Sequence, residues 1–398
     1  MKHFNKTKLA AAIGTAALAT ALSAPANAAI VLGGDNGWEV SYGGFINLFY
    51  NQSNFDYYGG GSEDSAHLNE GLLPAFHTLT AKSPEIGGLK GTAQITFAVD
   101  SSAGKNSRLN KPGLFGGTDS TIDMREVFFN VEGDFGTISA GRTLSLFQRQ
   151  AILKDMTLFG VGSLAGPDGS GTALGRIGYG YVYPDFRTRF TYKTPDINGF
   201  NLEVGIFDPQ EPLGANIAET DTPQFQAEGT YTMAFDGGSF NAWLGFLWQE
   251  ETIKTVTPNP NVESWGVNVG GDLKFGAFNV VGSYYTGEAL GTWLFNIGGG
   301  DGFACNNVTC TEAQNDGYYI QGSYTFNGTT KVGVSYGASN QDSDLTGNIG
   351  QHNDLWTVGV YHDVNSWLKV VAEYNETDSP KRFGYQEDSF SIGGFILW

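Results

Sequence analysis

Six arginines fall between positions 125 and 189: Arg125, Arg142, Arg149, Arg176, Arg187 and Arg189. Acidic side chains share the same stretch, among them Glu126, Asp155 and Asp168. A guanidinium stays charged at any working pH and presents a planar fork of donors, so it suits anion recognition or a fixed electric field. It does not supply the nucleophile, base and orienting group that hydrolytic catalysis needs. His67, His77, His352 and His362 follow the first 28 residues, and none stands in a recognisable Ser or Asp/Glu signature. No catalytic activity and no cofactor are therefore implied. What these residue types can do is electrostatic: bind an anion or set up a fixed field.

Either use needs elements that hold the side chains in place. The stretch 125–150 reads REVFFNVEGDFGTISAGRTLSLFQRQ. Val127, Phe129 and Val131 share one face of an alternating run, while Glu126, Phe128, Asn130 and Glu132 share the other. Gly133 and Asp134 form a turn, and alternation resumes with Ile138 and Ala140 on the apolar face. Period-two alternation through a tight turn predicts a β-hairpin. Arg125 shares parity with Val127, so it lies above an apolar band or follows a bulge.

The first 28 residues read as an export signal. Lys2, Lys6 and Lys8 precede an apolar run over 9–22, and Ala26-Asn27-Ala28 fits the small-x-small cleavage rule. The run is too short for a spanning helix, which takes roughly 20 apolar residues. Residues 29–398 then form the mature domain. Without the three leader lysines, 19 basic side chains face 41 acidic ones, a net charge near −22. That acidity argues against a nucleic-acid partner. Aromatic residues reach 14% and Gly reaches 57, while the mean hydropathy is −0.20. Strands with one face toward lipid and one toward water account for that mixture.

About sixteen alternating segments follow from Trp38 to the end, an even number as in bacterial membrane barrels. Their connections alternate in length. Tight ones lie at 83–88, 133–134, 194–199, 236–239, 276–277, 327–330 and 364–366. Longer polar ones lie at 51–75, 100–121, 143–184, 208–223, 250–262, 286–317, 339–354 and 376–388. Short turns at one end and long loops at the other predict a sixteen-stranded antiparallel transmembrane barrel. Trp38, Tyr50, Trp248, Trp265, Trp356, Trp367 and Trp398 fall at strand ends, where interfacial girdles belong. Arg187 and Arg189 alternate with Phe186, Thr188 and Phe190, so they face the lumen. Facing lipid would cost about 2–4 kcal/mol at mid-membrane.

The Arg-Glu strand, the Gly-acidic-Phe-Gly turn and the second strand ending Gly-Arg resemble the Gram-negative general porins. That resemblance implies a trimeric outer-membrane channel, surrounded by lipid and lipopolysaccharide, for passive diffusion of ions and small hydrophilic solutes. It implies a third loop folded inward, and 145–159 is the best helical candidate for it. Arg125 (in REVFF) and Arg176 (in LGRIG) resemble two wall arginines of the family, and Arg142 matches a third. Where the family carries another arginine, this chain has Thr78. The family's Pro-Glu-Phe-Gly-Gly loop motif is absent, which leaves Asp155 and Asp168 as candidates for the acidic side. The terminal aromatic Trp398 resembles the signal read by the barrel-assembly machinery, where the family usually has Phe. A second reading is a substrate-specific channel whose arginines bind a small anionic solute. Cys305 and Cys310, both within 286–317, are too few ligands for zinc, and in an exported protein they predict a disulfide.

Overall fold

The computed structural model describes residues 29–99, 122–167, 171–211, 218–295, 302–342, 350–381 and 383–398. The leader at 1–28 and Asp168 lie outside them, as does most of the acidic loop after Gln341. Sixteen long strands alternate along the described chain. They are β1 (Glu39–Tyr57), β2 (Ala75–Lys82), β3 (Lys90–Val99), β4 (Ile122–Gly133), β5 (Gly136–Leu144), β6 (Phe186–Lys193), β7 (Phe200–Phe207) and β8 (Gln224–Phe235). Then come β9 (Gly238–Ile253), β10 (Asn261–Phe275), β11 (Phe278–Glu288), β12 (Gln314–Phe326), β13 (Thr330–Gln341), β14 (Gln351–Asp363), β15 (Leu368–Ser379) and β16 (Tyr385–Leu397).

Each strand pairs antiparallel with the next, and β1 pairs with β16 from Phe45 opposite Leu397 to Tyr57 opposite Tyr385. The sheet is therefore a closed barrel. Closure removes the free edges that would leave backbone groups unpaired in lipid. A short strand, Ile30–Gly33, pairs with β1 just beyond the point where Trp398 exchanges backbone hydrogen bonds with Gly44.

Alternation sorts the side chains as expected of a membrane wall. On β10, Val269 and Leu273 point outward and are exposed, while Ser264, Asn268 and Asp272 point inward and are buried. Aromatic residues flank the outer apolar belt. Trp248 and Trp265 sit opposite each other near the loop end, and Phe275 and Phe278 near the turn end. The ten residue steps from Trp265 to Phe275 span about 25 Å once strand tilt is allowed for, the height of a hydrocarbon belt.

Several strands run further toward the loops than alternation of apolar residues reveals. β1 continues to Tyr57 and pairs there with a hairpin partner, Ser62–Asn69, in a stretch expected as loop. β15 and β16 likewise extend through most of 376–388. Above the lipid belt the outward positions are Gln52, Asn54, Asp56, Glu376 and Asp388, so the outward face loses its apolar signal while backbone pairing persists.

Cys305 and Cys310 are disulfide-bonded and face each other across a small hairpin of Phe303–Cys305 and Cys310–Glu312. The bridge closes the hairpin within its loop and leaves the barrel ladder untouched.

Candidate pore constriction

The described residues of the segment 145–185, between β5 and β6, run inside the barrel. Its helical part is shorter than expected: α1 covers Arg149–Lys154, and a 3-10 turn covers Met156–Phe159. The wall explains the loss. Leu146 and Phe147 give their backbone N–H groups to Gln226 Oε1 on β8, and Gln148 gives its own to Asn268 Oδ1 on β10. Gln148 adopts φ 66°, so the helix starts after it. Asp155 is extended and breaks the helix, while its carboxylate accepts from Thr157 N at 3.0 Å to start the 3-10 turn.

The loop then follows the wall. Tyr319 on β12 donates to Ala151 O at 2.8 Å, and Gln321 on the same strand accepts from Met156 N and donates to Lys154 O, both at 2.8 Å. Glu373 on β15 accepts from the N–H groups of Val161 and Gly162 at 2.9 Å, and Glu387 on β16 accepts from Leu164 N at 3.2 Å. Polar side chains thus replace water at backbone groups that would otherwise be buried without partners.

Apolar packing adds to this. Phe45, Phe76 and Phe395 point inward from β1, β2 and β16 and meet Phe159 of the loop. Ring centroids lie 5.2 Å apart for Phe45–Phe76, 5.4 Å for Phe159–Phe395 and 6.2 Å for Phe45–Phe159. Leu72 and Leu73, from the connection between β1 and β2, join the same core with Met156, Leu158 and Val161. That connection also folds inward, a feature sequence reading missed. Its signal was Gly71-Leu72-Leu73-Pro74, an apolar patch inside an otherwise polar loop.

The predicted site residues fall into several places. Arg149 is buried and donates to Glu203 on β7 at 2.8 Å and to Glu228 on β8 at 2.7 Å. Arg189 points inward from β6 with its Nη2 3.4 Å from Glu203, and its guanidinium lies 5.9 Å from the Phe207 ring. Its Nε and Nη1 have no hydrogen-bond partner among the described residues. Glu126 is buried on the same stretch of wall, two strands away on β4, and accepts from Gln94, Thr96 and Thr143 at 2.8, 2.9 and 2.7 Å. Thr78, at the position of the family's further arginine, hydrogen-bonds Thr96 in the same network.

Arg176 is fully buried and donates to Leu355 O at 2.9 Å and Thr357 Oγ1 at 3.3 Å on β14, with Asp155 3.8 Å away. Asp155 also accepts from Tyr181 OH at 2.9 Å. The Tyr181–Asp155 bond ties the descending and returning limbs of the loop together, and Arg176 ties the returning limb to β14. Arg125 occupies a bulge: Thr96 pairs with Glu126 but Phe97 pairs with Met124. Its guanidinium reaches Asp123 at 2.5 Å and donates to Tyr183 OH at 3.0 Å. Burial pushes the Tyr183 phenol up to about 12, with Arg125 acting the other way, so it accepts as a neutral group. Arg187 donates twice to Asp208 O, at 3.1 and 2.6 Å.

Arg142 does not join them. It registers between Val127 and Thr188 in the outward-facing row and is exposed, whereas its neighbour Thr143 points inward to Glu126. One position of strand parity separates the two faces. Asp168 lies outside the described residues.

A closed barrel with a lipid-facing belt, a polar lumen and a loop folded across that lumen defines a membrane channel. This chain belongs to the Gram-negative porin family, whose model matches residues 14–382. It is an outer-membrane channel for passive diffusion. No curated protein sequence matches it. Among solved structures, the outer membrane channel DcaP of Acinetobacter baumannii is similar with a TM-score of 0.69 at 14% identity, over 92% of this chain and 99% of that one. An anion-selective porin from Comamonas acidovorans gives 0.64 at 14% identity, over 91% of this chain and 100% of that one. The trimer form of OmpT of Vibrio cholerae gives 0.52 at 16% identity, over 91% of this chain and 100% of that one. At these identities the likeness concerns the fold.

Proposed function

We propose that ions and small hydrophilic solutes pass between the inward loop and the wall made by β2 to β6. The observation that carries this is the one-sided anchoring of the loop's inner limb. From Leu146 to Leu164 its hydrogen bonds to the wall go to β7, β8, β10, β12, β15 and β16. The facing side chains of β2 to β5, namely Thr78, Gln94, Thr96, Glu126 and Thr143, bond among themselves. Arg189 stands at the edge of that wall with donors to spare.

On this reading Arg189, Arg187, Glu126 and Glu203 set the field in the passage. Arg149, Arg176 and Asp155 position the loop, and Arg125 ties its returning limb. Deleting about ten residues around Gly162 removes the tip of the loop. Conductance then rises and larger sugars enter while the barrel still assembles. Unchanged conductance in a folded deletion variant contradicts the reading.

The same reading makes the functional unit a homotrimer, as for the trimer form of the Vibrio cholerae relative. His77 and Arg142 are polar side chains on the outer face of β2 and β5, among Leu79, Val127 and Phe129. A second copy would cover them in place of lipid. Export through cleavage after Ala28 and recognition of Trp398 by the assembly machinery complete the proposal.

A further inference from the structure

One cavity opens toward the loop end of the barrel, between the root of the inward loop, its returning limb and β8 and β9. Phe147, Leu247 and Leu294 give it an apolar wall, and Arg187, Asp185 and Ser145 line it as well. We propose that it is a binding subsite for a small zwitterion with an apolar body: a free α-amino acid with an aliphatic side chain. The proposal adds a ligand to the passage described above and rests on that passage leading to it.

The polar heads left in the cavity select this class. Gln226 is already committed, its Oε1 accepting from Leu146 N at 2.8 Å and Phe147 N at 2.9 Å. Gln224 donates to Gln249 Oε1 at 2.9 Å and accepts from Gln226 Nε2 at 2.5 Å. Arg187 is held in place by Asp208 O through Nε and Nη2, which leaves Nη1 directed toward Asp185. Nη1 and Asp185 Oδ2 are 3.8 Å apart, beyond hydrogen-bond reach. The other Asp185 oxygen is fixed by Phe186 N at 2.6 Å. The cavity therefore presents one oriented cation and one oriented anion whose ion pair, at 3.8 Å, has no direct hydrogen bond between them.

A plain anion would meet Asp185, and a plain cation would meet Arg187. A molecule with a carboxylate and an ammonium on one carbon satisfies both and places its side chain on Phe147, Leu247 and Leu294. Ser145 is an independent sign of a missing partner. It is 1% exposed, lines the cavity, and its Oγ has no hydrogen-bond partner among the described residues. A buried hydroxyl without a partner is uncommon in proteins, and a ligand ammonium would supply one.

Isothermal titration of the detergent-solubilised full chain tests the proposal without relying on conduction. L-Leucine is expected to bind. Removing its ammonium (4-methylpentanoate) or its carboxylate (3-methylbutylamine) weakens binding about tenfold or more, the worth of a charge-assisted hydrogen bond. Arg187→Gln and Asp185→Asn weaken leucine binding about as much. The ligand series uses the unaltered protein, so it stands even where a variant misfolds. No heat with leucine overturns the subsite, and so does 4-methylpentanoate binding as tightly as leucine. Leucine binding to a chain that fails to conduct in bilayers would contradict the passage and leave the subsite standing.

Discussion

Arg149 Nη2 lies 2.8 Å from Glu203 and 2.7 Å from Glu228, so one guanidinium of α1 bridges two neighbouring strands of the wall. All three side chains are nearly inaccessible to water. A buried pair of this kind gives modest net stability while intact, but removing one partner leaves uncompensated charge.

Arg149→Ala is therefore expected to weaken docking of the loop root by about 3–5 kcal/mol. The ladder of the barrel does not depend on it. Hydrogen exchange should show faster exchange of the amides in 146–154 with strand amides unchanged. Adding Glu228→Gln should recover part of the protection. Equal protection in the single variant and the parent would remove Arg149 from its anchoring role.

Gly71 and Gly160 mark where the two inward connections touch. A Cβ on Gly71 would lie 2.1 Å from Gly160 O, a backbone atom that cannot swing aside. Gly71→Ala should push the loops apart and increase current noise in single-channel records. Gly322→Ala is the control, because a Cβ there meets nothing within 4 Å. Identical noise in both variants would mean that this contact does not hold the inward loop.

The architecture was legible in the sequence wherever one strand face is apolar and the other polar. Leu89, Ala93, Ile95, Phe97 and Val99 announced β3 almost to its ends, beside Thr92, Gln94 and Thr96. The same parity places Arg187 and Arg189 inward, and in the barrel they point inward. Arg142 shows the limit. Its Gly-Arg motif matched the family's wall arginines, but counting residues from Ile138 and Ala140 puts it on the outer face. Arg125 needed a bulge, which the sequence allowed but did not place. The anchors Gln226, Asn268, Gln321, Glu373 and Glu387 looked like ordinary lumen-facing polar residues. Nothing local distinguishes a side chain that meets water from one that meets a loop backbone.

Arg142→Gln separates the two faces. If Arg142 contacts a neighbouring copy, the variant keeps its ion selectivity while its oligomer dissociates at lower temperature on a semi-native gel. A selectivity change with unaltered oligomer stability would put Arg142 in the permeation path.

Selectivity sets two features against each other. The acidic excess of the chain enriches cations at the mouths, and clefts focus such fields. On the proposed passage, Arg187 and Arg189 oppose them inside. At physiological ionic strength the Debye length is ~8 Å, so outer-loop charges are largely screened from the constriction while wall arginines are not. A modest cation preference in dilute KCl should therefore fall as salt rises. Arg189→Gln should shift reversal potentials further toward cations at every concentration. A preference that holds or grows with salt would contradict the screening argument.

The most direct test of the channel itself is single-channel conductance in planar bilayers as KCl is raised. A water-filled passive pore predicts discrete steps, a linear current–voltage relation and conductance in proportion to salt. An absence of steps from correctly folded protein, or conductance that saturates at low salt, would contradict it.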